Sequence, residues 1–284
     1  RRGDIAAALA SARRAANDQP DNAEAQHLLG IVLQRAGDLP GAQAALERAV
    51  ALAPEHAGYP FALANLAMGR GALDVAEKNA KLSTALDPNY LPGYVLAGQA
   101  ALARRDRAEA ATQLALAKRV NDGHPLVWSL EGYLARFDGN EDLAMRCFTA
   151  AVKADPGLTA AQAALGMGFL AKGQWPFAEQ ALANAHKQAP NNFSVARALL
   201  EALRRQGKVA ECLALVEELL AAQPGEPALR VLRAELQVAL GRNDAALADM
   251  QAMLAQQPAN PQALGIVLEL LRLAGRSEEG LPLA

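Results

Sequence analysis

The chain is short of nearly everything that catalytic and metal-binding proteins display. Its 284 residues include two cysteines and four histidines, and aromatic side chains make up 4%. Cys147 and Cys212 lie too far apart and are too few for a disulfide scaffold or a cysteine-based zinc site. His27, His56, His124 and His186 have no H-x-x-x-H or C-x-x-C partner, so no metal is expected. The formal net charge of −2 gives no long-range positive field to draw the chain toward nucleic acid or an anionic membrane. No run of about 18 apolar residues exists, so no membrane insertion is expected. There is also no Gly-x-Ser-x-Gly elbow, P-loop or kinase signature. Gly166-Met167-Gly168 lacks the third glycine of a dinucleotide loop and follows no strand. Asn192-Phe193-Ser194 fits a glycosylation sequon, a pattern common by chance. The expectation is a chain with no catalytic residue and no cofactor.

What the chain has is alanine, leucine and a fixed period. Hydrophobic residues make up 52% of it, too many for disorder. Their kind suits helix-on-helix packing, since a sheet would draw on more β-branched and aromatic side chains. Prolines 20, 54, 88, 156, 190, 224 and 258 fall at steps of 34 or 68 residues, with no insertion or deletion. Units ending on that column run 21–54, 55–88, 89–122, 123–156, 157–190, 191–224 and 225–258. A glycine column accompanies it: Gly3, Gly37, Gly71, Gly139, Gly173, Gly207, Gly241 and Gly275, broken only by Arg105. A small residue recurs five positions later, at Ala42, Ala76, Ala110, Ala144, Ala178, Cys212 and Ala246. Another column holds Gly30, Ala64, Gly98, Gly132 and Gly166, then Leu200 and Ala234.

Each column has a physical task. Proline cannot continue a helix, and glycine closes the first helix of each unit through a left-handed turn. The residue after it is often a capping type, as in Gly3-Asp4, Gly37-Asp38 and Gly139-Asn140. Small residues let paired helices approach closely. Between these marks Leu28, Leu29 and Leu33, then Ala42, Ala45, Leu46, Ala49 and Val50, recur at three- and four-residue steps.

The unit resembles the tetratricopeptide repeat, a 34-residue helix–turn–helix. The best match is 123–156, with Trp128, Gly132, Gly139, Ala144, Phe148, Ala151 and Pro156. The resemblance covers essentially the whole chain and implies an all-α fold, a right-handed α-α superhelix of antiparallel helix pairs forming a single solenoid over 1–284. Partial repeats lie at 1–20 and 259–284. Residues 4–18 read as a second helix, 259–274 as a first helix, and 277–284 as the start of its partner. With both ends cut inside a repeat and no methionine at Arg1, the chain reads as a fragment of a longer protein. The compartment is open, and the compact Ala-rich repeats look bacterial, from cytoplasm or periplasm. The unit 89–122 is irregular. Asn121-Asp122-Gly123 either ends its helix by turn chemistry or marks a change of pitch.

The resemblance places binding on the first helices, which line the inside of the superhelix. The candidate partner-binding residues are Phe61, Asn65, Met68, Gln99, Leu102, Tyr133, Arg136, Phe137, Met167, Leu170, Arg197, Glu201, Arg204 and Arg205. They divide into an apolar, Met-containing run and a neighbouring charged run. That pairing suits a peptide or protein with hydrophobic anchors and an acidic flank. The alternative is that Phe137 and Leu170 pack between repeats and the arginines pair within the chain. Trp128, Trp175, Leu39 and Leu73 stand at packing columns. Two specialised forms of the family are not matched. The chaperone-tail clamp fails because Phe61 and Leu96 replace the partners of Asn65. The asparagine ladder of Ser/Thr glycosyltransferases fails because Leu28, Ala62, Leu96, Leu130, Ala164, Ala198 and Leu232 occupy its column. The implied function is a non-catalytic protein-interaction scaffold. The alternatives are a recruiting arm of a larger enzyme, or a homo-oligomer assembled through terminal helices carrying Leu268, Leu271 and Leu273.

Overall fold

The computed structural model describes residues 2–258, 260–276 and 278–279, and among them it holds sixteen helices and no strand. The chain divides into two compact units, Arg1–Ala161 and Gln162–Ala284. The first contains α1 (Arg2–Asp18), α2 (Ala23–Ala36), α3 (Leu39–Leu52), α4 (Gly58–Gly69), α5 (Leu73–Leu86), α6 (Leu91–Ala103), α7 (Arg107–Asn121), α8 (Pro125–Phe137) and α9 (Glu141–Ala154). The helix α10 (Thr159–Ala171) includes the junction. The second unit continues with α11 (Trp175–Gln188), α12 (Phe193–Arg205), α13 (Val209–Ala222), α14 (Pro227–Ala239), α15 (Asn243–Gln256) and α16 (Pro261–Leu273). None of the described helices is long and apolar enough to cross a membrane.

Within each unit, helices pack on their neighbours in sequence. First helices also meet across repeats: α2 on α4, α4 on α6 and α6 on α8 in the first unit, and α14 on α16 in the second. This is the all-α stack of helix pairs expected from the repeat. The small column explains the close packing. Ala42, Ala76, Ala110, Ala144, Ala178, Cys212 and Ala246 are all 0–1% exposed. At Gly132 a Cβ would lie 2.7 Å from Phe148, whose ring is fully buried. Leu200 fills the corresponding column of the second unit, where the residue at the place of Phe148 is the smaller Val216. Both are buried in one cluster, so volume is exchanged across the pair.

The turns follow the glycine column. Gly37, Gly71, Gly139, Gly173, Gly207, Gly241 and Gly275 have φ between 69° and 88°, where a side chain is disfavoured. Arg105, in the one unit without that glycine, adopts φ 64° all the same. The repeat geometry therefore overrides the residue's own preference. Gly3 departs from its column, because it lies inside α1 and not at a turn. Asp38 and Asn140 cap α3 and α9 as expected, accepting from Gly41 at 2.9 Å and Leu143 at 3.1 Å. In the irregular unit, α7 ends at Asn121, whose Oδ1 accepts from the Gly123 N–H at 3.1 Å. Turn chemistry thus replaces proline there.

The apolar load of α16 is mostly covered within the second unit. Val267, Leu270 and Leu271 are buried against residues of α14 and α15, with Leu271 only 1% exposed. Leu271 is therefore not the sticky residue the sequence suggested. Leu268 is half-buried, and Leu273 stays 58% exposed. Of the expected partner helix at 277–284, residues 277 and 280–284 lie outside the described residues.

Two substitutions test these constraints by chemical denaturation. Arg105→Gly is expected to raise stability by roughly 0.5–1 kcal/mol, since it removes the left-handed penalty of a residue with a Cβ. Alanine at two helical glycines should act with opposite signs. Gly265→Ala meets nothing within 4 Å and gains about 0.5–1 kcal/mol of helix propensity. Gly132→Ala forces its Cβ into Phe148 and loses roughly 1–2 kcal/mol net.

Candidate functional site

Each unit has a groove on the face of its first helices. In the first unit the groove has a volume of about 490 Å³ and is lined by Met68 of α4, Gln99, Leu102 and Ala103 of α6, Tyr133, Arg136 and Phe137 of α8, and Ala160. All three helices present the same columns, and because α4, α6 and α8 pack side by side, equivalent residues come together. Of its three polar side chains, Gln99, Tyr133 and Arg136, two are engaged within the protein. The Tyr133 hydroxyl donates to the Ala160 carbonyl at 3.0 Å. Its ring meets Phe148 edge-on, with centroids 5.0 Å apart. Burial pushes the Tyr133 hydroxyl upward, with Arg136 pulling the other way, so it stays a proton donor at neutral pH. Arg136 makes a forked pair with Glu141 at 3.1 and 2.8 Å and lies 4.9 Å over the Phe148 ring. Phe137, by contrast, is 42% exposed.

The remaining expected residues of this unit fall near the groove or beside it. Phe61 is half-buried, packing edge-on against Tyr90 at 5.4 Å, and Asn65 is exposed. The packing columns are less enclosed than expected, with Trp128 and Leu73 half-buried and Leu39 exposed.

The second unit has a wider groove of about 900 Å³ between α12 and α14, with Leu219 of α13 and Gln223, which closes that helix, on its wall. Arg197, Glu201 and Arg204 line it, together with Phe193, Leu229 and Leu232. Most of the charge is spent within the chain. Glu201 accepts from Arg205 at 2.7 Å and lies 3.8 Å from Arg204. Arg205 also stacks 5.6 Å over the half-buried Trp175 and does not line the groove. Arg197 is exposed and faces the groove. Met167 is 37% exposed, while Leu170 packs against the cluster of this unit.

Sequence reasoning missed Phe193, Leu229, Leu232 and Gln223, and it missed the Ala160 carbonyl. Phe193 and Leu229 sit in the opening turns of α12 and α14, ahead of the Arg197 column, and Leu232 lies one residue past that column. A backbone acceptor such as Ala160 leaves no mark in residue identity. Among the described residues no group of three or more His, Cys, Asp or Glu side chains converges as a metal site would.

Comparison with known families and structures follows the same lines. A tetratricopeptide repeat profile matches residues 169–236, and a second profile of that description matches 27–90 and 231–284. No curated protein matches. Among solved structures, a thermophilic TPR protein of Thermus thermophilus is similar over 64% of this chain and 99% of its own, at 24% identity and a TM-score of 0.55. A chain of the APC/C hetero-tetramer Cut9–Hcn1 is similar over 94% of this chain and 52% of its own, at 16% identity and a TM-score of 0.58. At these identities the likeness is one of fold.

Tyr133 and Phe137 should separate by stability. Tyr133→Phe removes a hydroxyl bonded to a backbone carbonyl and is expected to lose about 1 kcal/mol in urea denaturation. Phe137→Ala, at an exposed position, should stay within about 0.5 kcal/mol of the parent.

Proposed function

Because the chain belongs to the tetratricopeptide repeat family, we propose that it is a non-catalytic scaffold that holds an extended or helical peptide segment of a protein partner on its first-helix grooves. The observation that carries this reading is the groove of the first unit. Two of its three polar members, Tyr133 and Arg136, are bonded to Ala160 and Glu141, so what it offers a ligand is chiefly the apolar surface of Met68, Leu102 and Phe137, beside the Gln99 amide. An exposed apolar concavity of this size is the form that anchor side chains fill. The second unit contributes a different preference. Phe193, Leu229 and Leu232 supply apolar surface beside Arg197, which suits a hydrophobic anchor next to an acidic residue. The favoured ligand therefore carries apolar anchors and an acidic flank.

The test begins with peptides selected from a random display library on the purified chain. Affinity is then measured by fluorescence anisotropy for the parent and for Phe137→Ser with Met68→Ser. Selected peptides should be rich in Leu, Phe or Met with Asp or Glu nearby. The double variant should bind at least about tenfold more weakly, the loss of one well-filled apolar anchor, with its helical circular-dichroism signal retained. Equal affinity in the double variant sinks the apolar-groove reading. Arg197→Glu should weaken acidic peptides selectively and leave uncharged ones unaffected.

A further inference from the structure

Two residues past the recurrent proline column stands a residue at the start of the first helix, or, for α4 with Ala57 at its cap, one position before it. In three repeats it is asparagine. Asn22, Asn192 and Asn260 accept through Oδ1 from the N–H of Ala25, Val195 and Ala263, at 3.2, 3.3 and 3.0 Å. In the first unit, two repeats place histidine there. His56 precedes α4 and His124 caps α8. Each accepts through Nδ1 from the N–H two residues on, Gly58 and Leu126, both at 3.2 Å. The difference is chemical. An asparagine carbonyl accepts at any pH, whereas an imidazole nitrogen accepts only while unprotonated. A proton on Nδ1 turns the acceptor into a donor facing a donor. It also sets a positive charge at the positive end of the helix dipole.

We infer that the bonds His56 and His124 accept from the first turns of α4 and α8 are acid-labile, so that acidification loosens the starts of the helices that carry Met68 and Phe137, while the asparagine-capped starts hold. Only the neutral ring makes the bond, so each cap is present while Nδ1 is unprotonated and is lost when that nitrogen takes up a proton.

The groups around each ring differ. The His56 ring stacks on Tyr59 at 4.1 Å, and Tyr59 also meets His27 of α2 at 5.2 Å. Glu24 of α2 accepts from the Tyr59 hydroxyl at 3.4 Å. Glu55 precedes His56, Asp87 closes the packed helix α5, and Tyr90 follows it. Burial pushes His27 below its usual value, with Glu24 opposing and His56 adding to the shift. The His27 Nδ1 is enclosed without a hydrogen-bond partner. Acid therefore acts on α2 and α4 together. His124 opens α8, which packs on α7 and α9. Lys118, Arg119 and Asp122 close α7, and Lys153 and Asp155 close α9. Lys118 is held by Glu131 at 2.7 Å.

Hydrogen exchange on the whole chain at pH 7.5 and 5.5, corrected for intrinsic exchange rates, tests the inference without any ligand. Its outcome is therefore independent of groove binding. The amides of Gly58 and Leu126 should lose about fivefold protection in acid, the equivalent of one cap. Those of Ala25, Val195 and Ala263 should keep theirs. His124→Asn, which installs the cap used elsewhere in the column, should abolish the loss at Leu126 and leave Gly58 unchanged. In His56→Asn the loss at Gly58 should shrink, with the His27 contribution remaining. Equal protection of Leu126 at both pH values in the parent overturns the inference. So does an undiminished acid loss in His124→Asn.

Discussion

Two helices come close only where one of them presents almost no side chain, and in this chain the repeat places that opening at the same two columns again and again. The alanines from Ala42 to Ala246 vanish from solvent because the partner helix lies directly on them. At the other column, Gly30, Gly132 and Gly166 receive Leu46, Phe148 and Leu182, each nearer than a Cβ would allow. Gly98 does the same between repeats, accepting Leu130 of the next first helix. Short-range contact of this kind favours dispersion at high density. It fixes the spacing of the first helices, and with it the width of the grooves they frame. The exchange of Gly132 with Phe148 for Leu200 with Val216 shows that the contact can be filled from either helix.

The same spacing places charges at the repeat edges, where they find partners. Arg104 reaches Asp74 and Glu77 of the preceding repeat, Lys81 joins Glu77 to Glu109, and Arg107 forks onto Asp138. Exposed pairs of this sort add little each, but they decide what remains for a ligand. Arg136, Arg204 and Arg205 looked like recognition residues in the sequence. In the fold each lies against a carboxylate of its own unit, and of the arginines on the second groove Arg197 stands beside Arg204, which lies 3.8 Å from Glu201. Pairing across repeats depends on rotamers and distances, which a column of residue types does not contain.

The fold was therefore legible and the site only in outline. Proline, glycine and alanine spacings carry backbone information, so they fix helix ends, turns and contacts almost without reference to neighbours. Arg105 illustrates how strong that constraint is, since it takes the glycine conformation without being glycine. Gly3 illustrates its limit, because a glycine at the right spacing stayed helical inside α1. Site residues behave differently. Met68, Leu102 and Phe137 could be placed on the groove face by register alone. Tyr133 could be placed too, but its bond to the Ala160 carbonyl and its contact with Phe148 make it part of the wall, which only the packed structure reveals. Leu271 erred in the opposite direction, since an apolar residue near a chain end was covered by α14 and α15.

An array without insertions can vary only in the side chains that its columns leave open, and specificity must be written there. The groove columns vary in polarity from Asn65 and Gln99 to Met68, Leu102 and Phe137. The helix-opening column varies between Asn22, His56, Tyr90, His124, Asn192 and Asn260. The first kind of variation chooses what is bound, because it alters surface and charge while leaving the backbone in place. The second alters how firmly each first helix is begun, because a cap satisfies backbone donors that no other group reaches. Placing histidine among those caps couples firmness to pH on the helices that carry the apolar groove. Affinity and rigidity are thus set by separate columns of one repeat, and substitution in either leaves the small-residue contacts that define the fold untouched.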